Sequence, residues 1–119
     1  DTPEHRAELE KYNFPWIDLL CVDFYPLYQT IRLGAPFKEV VEKTDIGGPT
    51  MVRSAVKGGR IVICESGRRK ELLEWLKTGE PKSAQYIQYL GALAEIAVGE
   101  YVSMSGNYRK SVLSLTGSI

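Results

Sequence analysis

Two apolar, β-compatible runs are all that this chain offers as buried strands, Trp16 to Phe24 and Arg60 to Cys64, and the residues between them read as helix. Strands alternating with helices specify an α/β fold with a parallel sheet. A parallel sheet covered on both faces takes more than two strands, so the sheet carried by these residues is expected to be incomplete.

Helical segments surround the strands. Thr2 before Pro3 reads as an N-cap with proline at the first helical position, opening a short charged helix to Lys11. Tyr25-Pro26 ends the first strand, because proline cannot donate to a ladder. Phe37, Val40 and Val41 fall on one face of a helix from Pro36 to Lys43. A further helix runs from Thr50 to Lys57 and stops at Gly58-Gly59. Ser66 is placed to cap a helix through Leu76 with Leu72, Leu73 and Leu76 inward, and Thr78-Gly-Glu-Pro81 breaks it. The last helix spans Ser83 to about Tyr101, with Ile87, Leu90, Leu93, Ala94, Ala97 and Val98 as its stripe. Gly91 and Gly99 on that helix permit close packing. The domain is read as residues 1–110, with 111–119 as a tail.

Fifteen Lys and Arg balance fifteen Asp and Glu, which leaves no global field to hold a nucleic acid or an anionic membrane surface. Any anion is therefore bound locally. No stretch is long and apolar enough to cross a membrane, and the charged start is unlike a secretory signal. Cys21 and Cys64 both lie in apolar runs and are expected to be buried thiols in a reducing cytoplasm; a disulfide stays open if their strands are neighbours.

Taken by themselves, the polar residues have structural readings. Asp45 before Gly47-Gly48-Pro49 fits an N-cap, Lys57 fits a last-turn complement to the helix dipole, and Arg53 fits a structural ion pair. Gly47 and Gly48 at a helix start offer N–H groups to an anion. His5 sits in a charged surface helix, and Trp16 and Trp75 read as packing residues.

Three segments carry a resemblance: Ile17-Asp-Leu-Leu-Cys-Val-Asp-Phe-Tyr-Pro26, Asp45-Ile-Gly-Gly-Pro-Thr-Met-Val-Arg-Ser-Ala-Val-Lys57 and Arg60-Ile-Val-Ile-Cys64. In this order they resemble the IMP cyclohydrolase domain of the bifunctional formyltransferase/IMP cyclohydrolase of purine synthesis. That family shows a strand ending N-L-Y-P-F, then D-I-G-G-x-x-L-x-R-A-A-A-K-N, then a valine-rich strand. Pro3-Glu-His-Arg-Ala-Glu-Leu-Glu10 is similar to the helix before the first strand, and Tyr101 with Tyr108 to two tyrosines of the last helix.

The resemblance implies a methylglyoxal-synthase-like parallel sheet flanked by helices, incomplete in this chain. It also implies a cofactor-free and metal-free ring closure of 5-formamidoimidazole-4-carboxamide ribotide to IMP. By the same resemblance Lys57 is assigned proton transfer, Asp45 binds the base and assists closure, and Tyr25 lies near the formyl oxygen. Val22 and Asp23 fall on nucleotide-contacting positions, and Ile46 beside the catalytic aspartate. The implied partners are a purine nucleotide and either a second copy of the chain or a chain supplying the family's N-terminal part.

The sequence departs from the family at three places. Asp23 stands where the family has asparagine, so a group that only accepts replaces one that also donates. Gly58 replaces the asparagine after the lysine. The family's first segment, with its Ser-Gly-Gly-Thr phosphate loop and Lys-Thr-Leu-His-Pro motif, has no counterpart in these residues, nor has the formyltransferase domain. The alternative reading is a non-catalytic nucleotide-binding or assembly module of the same fold.

Overall fold

A computed structural model describes residues 2–115 of the chain. Helix α1 (Pro3–Lys11) begins as its residues dictate: the Thr2 hydroxyl accepts the His5 N–H at 3.3 Å, and Pro3 fills a position where no N–H is needed. Strand β1 (Leu19–Cys21) follows, then the short helices α2 (Leu27–Arg32) and α3 (Phe37–Glu42). Helix α4 (Gly47–Lys57) leads to strand β2 (Ile61–Ile63), a 3-10 turn (Ser66–Arg68), α5 (Arg69–Lys77) and the long α6 (Ser83–Leu115).

The strands pair in parallel, Leu19 opposite Ile61 and Cys21 opposite Ile63. Two further bonds extend the ladder, Ile61 N–H to Asp18 O at 3.1 Å and Val22 N–H to Ile63 O at 3.0 Å. Both strands are shorter than the apolar runs that contain them, because among the described residues each has one neighbour and pairing stops where that neighbour turns away. The protein is therefore mixed α/β, mostly helical, with a small parallel sheet.

Alternation along the strands distributes side chains to two faces. On one, Leu20, Val22, Val62 and Cys64 pack with Val52 of α4 and with Ala94 and Val98 of α6. On the other, Leu19, Ile61 and Ile63 meet Leu72 and Trp75 of α5 and Leu90 of α6. Helix α6 thus serves both faces. Fully burying an aliphatic side chain such as Val52 or Leu90 is worth about 1.5–3 kcal/mol. Gly91 lets α6 approach α4, since a Cβ there would sit 3.2 Å from Val56 Cγ1. Beyond the sheet, Leu27 of α2, Val40 of α3 and Tyr101 of α6 form a third buried cluster.

Several sequence expectations are corrected. Helix α2 was not anticipated; it follows directly on Pro26 and is held by burial of Leu27 and Thr30. Helix α4 starts at Gly47, three residues before Thr50, because Asp45 supplies a cap. Ser66 opens a 3-10 turn without a side-chain cap, and α5 begins only at Arg69. Trp75, not Leu73, faces inward there: Leu73 is 54% exposed, while the Trp75 indole N–H donates to Pro81 O at 2.9 Å. Gly99 has no close neighbour. Helix α6 continues past Tyr101 through Ser111–Leu115, and positions 116–119 of the expected tail lie outside the described residues.

The cysteines also differ from expectation. Cys21 is exposed and Cys64 half-buried, and both are free thiols. Their strands are neighbours, yet Cys21 shares a face with Ile63 while Cys64 shares the opposite face with Val62, so the two sulfurs point apart.

Candidate functional site

In a parallel sheet the carboxyl ends of all strands lie together, and there open α/β folds place ligands. The residues after β1 and those after β2 meet at that end. Arg69, opening α5, donates to the Asp23 carboxylate that follows β1, an exposed ion pair tying the two strand ends together. The charge of Asp23 is thereby matched within the chain, which is the structural counterpart of its departure from asparagine.

Asp45 sits at the same end, just before α4. Its Oδ1 accepts the Gly48 N–H at 2.8 Å, capping the helix, and its Oδ2 accepts the Tyr25 N–H at 3.3 Å. One carboxylate therefore joins the segment leaving β1 to the start of α4. Each oxygen keeps a further lone pair for a ligand. Gly48 is buried in this contact, with no room for a Cβ beside Asp45 and Phe24. The Gly48 N–H is already used by the protein's own carboxylate.

Behind Asp45 stands Tyr101 of α6. Its hydroxyl accepts the Asp45 N–H at 2.8 Å and donates to Lys43 O at 3.1 Å. Burial pushes the Tyr101 phenol above its ordinary pKa, reinforced by the Asp45 charge and opposed by the hydrogen bond from the Asp45 N–H. The ring packs tilted on Phe24 at 5.1 Å between centroids.

The remaining sequence candidates fall in different places. Tyr25 is 56% exposed and Ile46 is 73% exposed, both beside Asp45 in sequence or by hydrogen bond. Val22 donates to β2 and packs into the core, leaving its side chain facing inward. Lys57 is exposed in the last turn of α4, about 15 Å along the axis from Gly47 at 1.5 Å per residue. It stands where α4 turns back into β2, at the amino end of the sheet. The structure thus brings Tyr25, Asp45, Ile46 and Gly48 together and leaves Lys57 at the far end of the same helix.

Arg53 departs from its expected structural role. It makes no ion pair among the described residues and lines a groove of about 280 Å³ with Asp45, Ile46, Pro49 and Val98. A cation and a carboxylate lining one open groove suit a polar ligand, and the spacing of Asp45, just before α4, from Arg53 within it is the signal that could have found Arg53. Trp16 packs as expected but on cations, with the guanidinium carbons of Arg6 and Arg60 at 4.5 and 3.9 Å from its centroid. His5 donates its backbone N–H to the α1 cap. Among the described residues no cluster of three or more His, Cys, Asp or Glu side chains could hold a metal, and no helix is long and apolar enough to cross a membrane.

No family model matches the chain. Similar proteins are nevertheless found, each named bifunctional purine biosynthesis protein PurH. One from Deinococcus deserti is 53% identical over 55 residues, 46% of this chain and 11% of that protein. One from Prochlorococcus marinus strain AS9601 is 39% identical over 83 residues, 68% of this chain and 16% of that protein. One from Limosilactobacillus reuteri is 37% identical over 109 residues, 89% of this chain and 21% of that protein. The chain spans between about a tenth and a fifth of the length of the curated relatives it matches.

Proposed function

We propose that these residues form part of a purine-biosynthetic nucleotide site of the IMP cyclohydrolase type. The observation that carries this reading is the Asp45 carboxylate, held between Tyr25 and Gly48 at the carboxyl end of the sheet, within the Asp-Ile-Gly-Gly segment that resembles the cyclohydrolase family. The relatives' name supports a role in purine biosynthesis.

The reaction is an intramolecular condensation of the formamido carboxamide ribotide. The carboxamide nitrogen attacks the formyl carbon and one C–N bond forms. The formyl oxygen leaves as water, taking one proton from the carboxamide nitrogen and one from the formamido nitrogen. Such chemistry asks for positioning, a proton carrier and a donor to the developing oxyanion. Asp45 offers a free lone pair to the carboxamide N–H. The exposed Tyr25 hydroxyl is a donor for the formyl oxygen. Lys57 is the proton carrier that the resemblance supplies, and a substrate touching it as well as Asp45 has to lie along α4. The rest of the site, the phosphate loop above all, comes in this reading from a segment with no counterpart in these residues.

A second reading is favoured by the position of Lys57 at the other end of α4 and by the Asp23–Arg69 pair: a nucleotide-binding or assembly module without turnover. One experiment separates the two. Calorimetric titration with IMP and an absorbance assay of cyclisation are run on the chain alone and joined to the N-terminal segment of the Limosilactobacillus reuteri relative. Tighter IMP binding and turnover in the joined protein support the cyclohydrolase reading. Binding without turnover supports the module, and no gain in affinity on joining overturns the shared-site proposal.

A further inference from the structure

From the hydrogen bonds around Asp45 we infer that Tyr101, reaching the site from α6, is its positioning residue, holding Asp45 and Tyr25 in register. The inference rests on the reading of Asp45 as substrate-facing. A backbone N–H can only donate and a carbonyl only accept, so the Tyr101 oxygen accepts from Asp45 and the hydroxyl proton goes to Lys43 O. The direction of both bonds is fixed. A hydroxyl with both roles filled cannot rotate without breaking one of them, so it pins the backbone on both sides of Thr44.

The same ring also reaches the strand end. Tyr101 is 9% exposed and packs on Phe24, the residue before Tyr25, and Phe24 in turn closes against Gly48. Asp45 completes the circuit through its bonds to the Tyr25 and Gly48 N–H groups. Displacing the phenol would therefore move the carboxylate and the neighbouring tyrosine together. Burial holds the phenol protonated, the form in which it can donate to Lys43. Tyr101 itself does not face solvent, so it acts through Asp45 and not on a substrate.

Tyr101→Phe keeps the ring and its packing while removing the hydroxyl. In the chain itself, residue-resolved amide hydrogen exchange should show the Asp45 and Gly48 amides exchanging at least about tenfold faster, with Val62 in β2 unchanged. In the protein joined to the N-terminal segment, kcat should fall between about ten- and a hundredfold, the scale of a misplaced reacting group, with KM for the ribotide changing less. Acting largely through Asp45, the substitution should cost clearly less kcat in an Asp45→Asn background than in the wild type. Unchanged exchange at Asp45 and Gly48 overturns the inference whatever the activity. Independent, multiplicative effects of the two substitutions on kcat overturn it as well, leaving Tyr101 as packing alone. A joined wild-type protein with no turnover would instead remove the cyclohydrolase reading, and the exchange result would still decide the role of Tyr101.

Discussion

Asp45 and Gly48 require one another: the Gly48 N–H donates to Asp45 Oδ1 at 2.8 Å, and a Cβ on Gly48 would lie 2.8 Å from Asp45 Oδ2. The cap can form only because the third residue after the aspartate has no side chain. Neighbouring Gly47 is exposed, with nothing within 4 Å of where its Cβ would be.

The two glycines are therefore expected to respond in opposite ways to alanine. Gly48→Ala should destabilise by roughly 1–3 kcal/mol, since the overpacking outweighs the gain in helix propensity of about 1 kcal/mol. Gly47→Ala should be neutral or stabilising by up to about 1 kcal/mol. Paired urea denaturation curves measure both, and equal losses at the two positions would contradict the close contact at Gly48.

Asp45 and Lys57 differ in how function and stability divide. Asp45→Asn should lower the cyclisation rate of the joined protein by about a hundredfold, the scale of a positioned acid or base. Asp45→Ala additionally removes the cap and should cost about 0.5–2 kcal/mol of stability. Lys57→Ala should leave the melting temperature nearly unchanged, because the side chain is exposed and loses only a dipole interaction of about 0.3–1 kcal/mol. A near-normal single-turnover rate for Lys57→Ala would fit its position at the amino end of the sheet and remove it as the proton carrier.

The elevated pKa of Tyr101 carries a pH dependence. Its folded-state pKa is raised above the unfolded value of about 10, so the protonated phenol stabilises the fold fully below that pH. The contribution is lost as pH climbs through the higher folded pKa. Wild-type stability should thus fall above about pH 10 more steeply than that of Tyr101→Phe. Denaturation curves between pH 8 and about 11 test the sign, and parallel profiles would show that the phenol titrates normally.

Asp23→Asn frees Arg69 and restores the amide found in the cyclohydrolase family at this position. Because the ion pair is exposed, stability should change little. IMP affinity of the joined protein should rise, since an amide can donate as well as accept and no longer opposes the nucleotide's negative charge. Calorimetry decides the matter, and weaker binding by Asp23→Asn would assign the carboxylate itself a role in recognition.

The thiols should separate by reactivity. Cys21 is exposed, whereas burial pushes the Cys64 thiol above its ordinary pKa, helped by the nearby Glu65 charge. A chromogenic disulfide reagent at pH 8 should label Cys21 fast and Cys64 slowly, with Cys21→Ser abolishing the fast phase. Two equally fast thiols would show that the sheet opens in solution.

What the sequence determined by itself was local. Thr2-Pro3 specifies the start of α1, Gly58-Gly59 the end of α4, and the spacing of Leu90, Ala94 and Val98 the inward stripe of α6, since capping and periodicity depend on residues within a turn or two of one another. The Asp-Ile-Gly-Gly segment was legible in the same way as a helix start and as a family resemblance. The tertiary structure decided everything that depends on contacts distant in sequence. Tyr101 reaches Asp45 across 56 positions, and Arg69 reaches Asp23 across 46, which no local pattern encodes. Cys21 lies open at the end of β1, and Trp75, not Leu73, enters the core from α5 because it shares a helix face with Leu72 and Leu76. Lys57 and Asp45 stand twelve positions apart in one motif, yet an intact helix holds them at opposite ends of the sheet, and it is this rigid separation that only the folded chain could reveal.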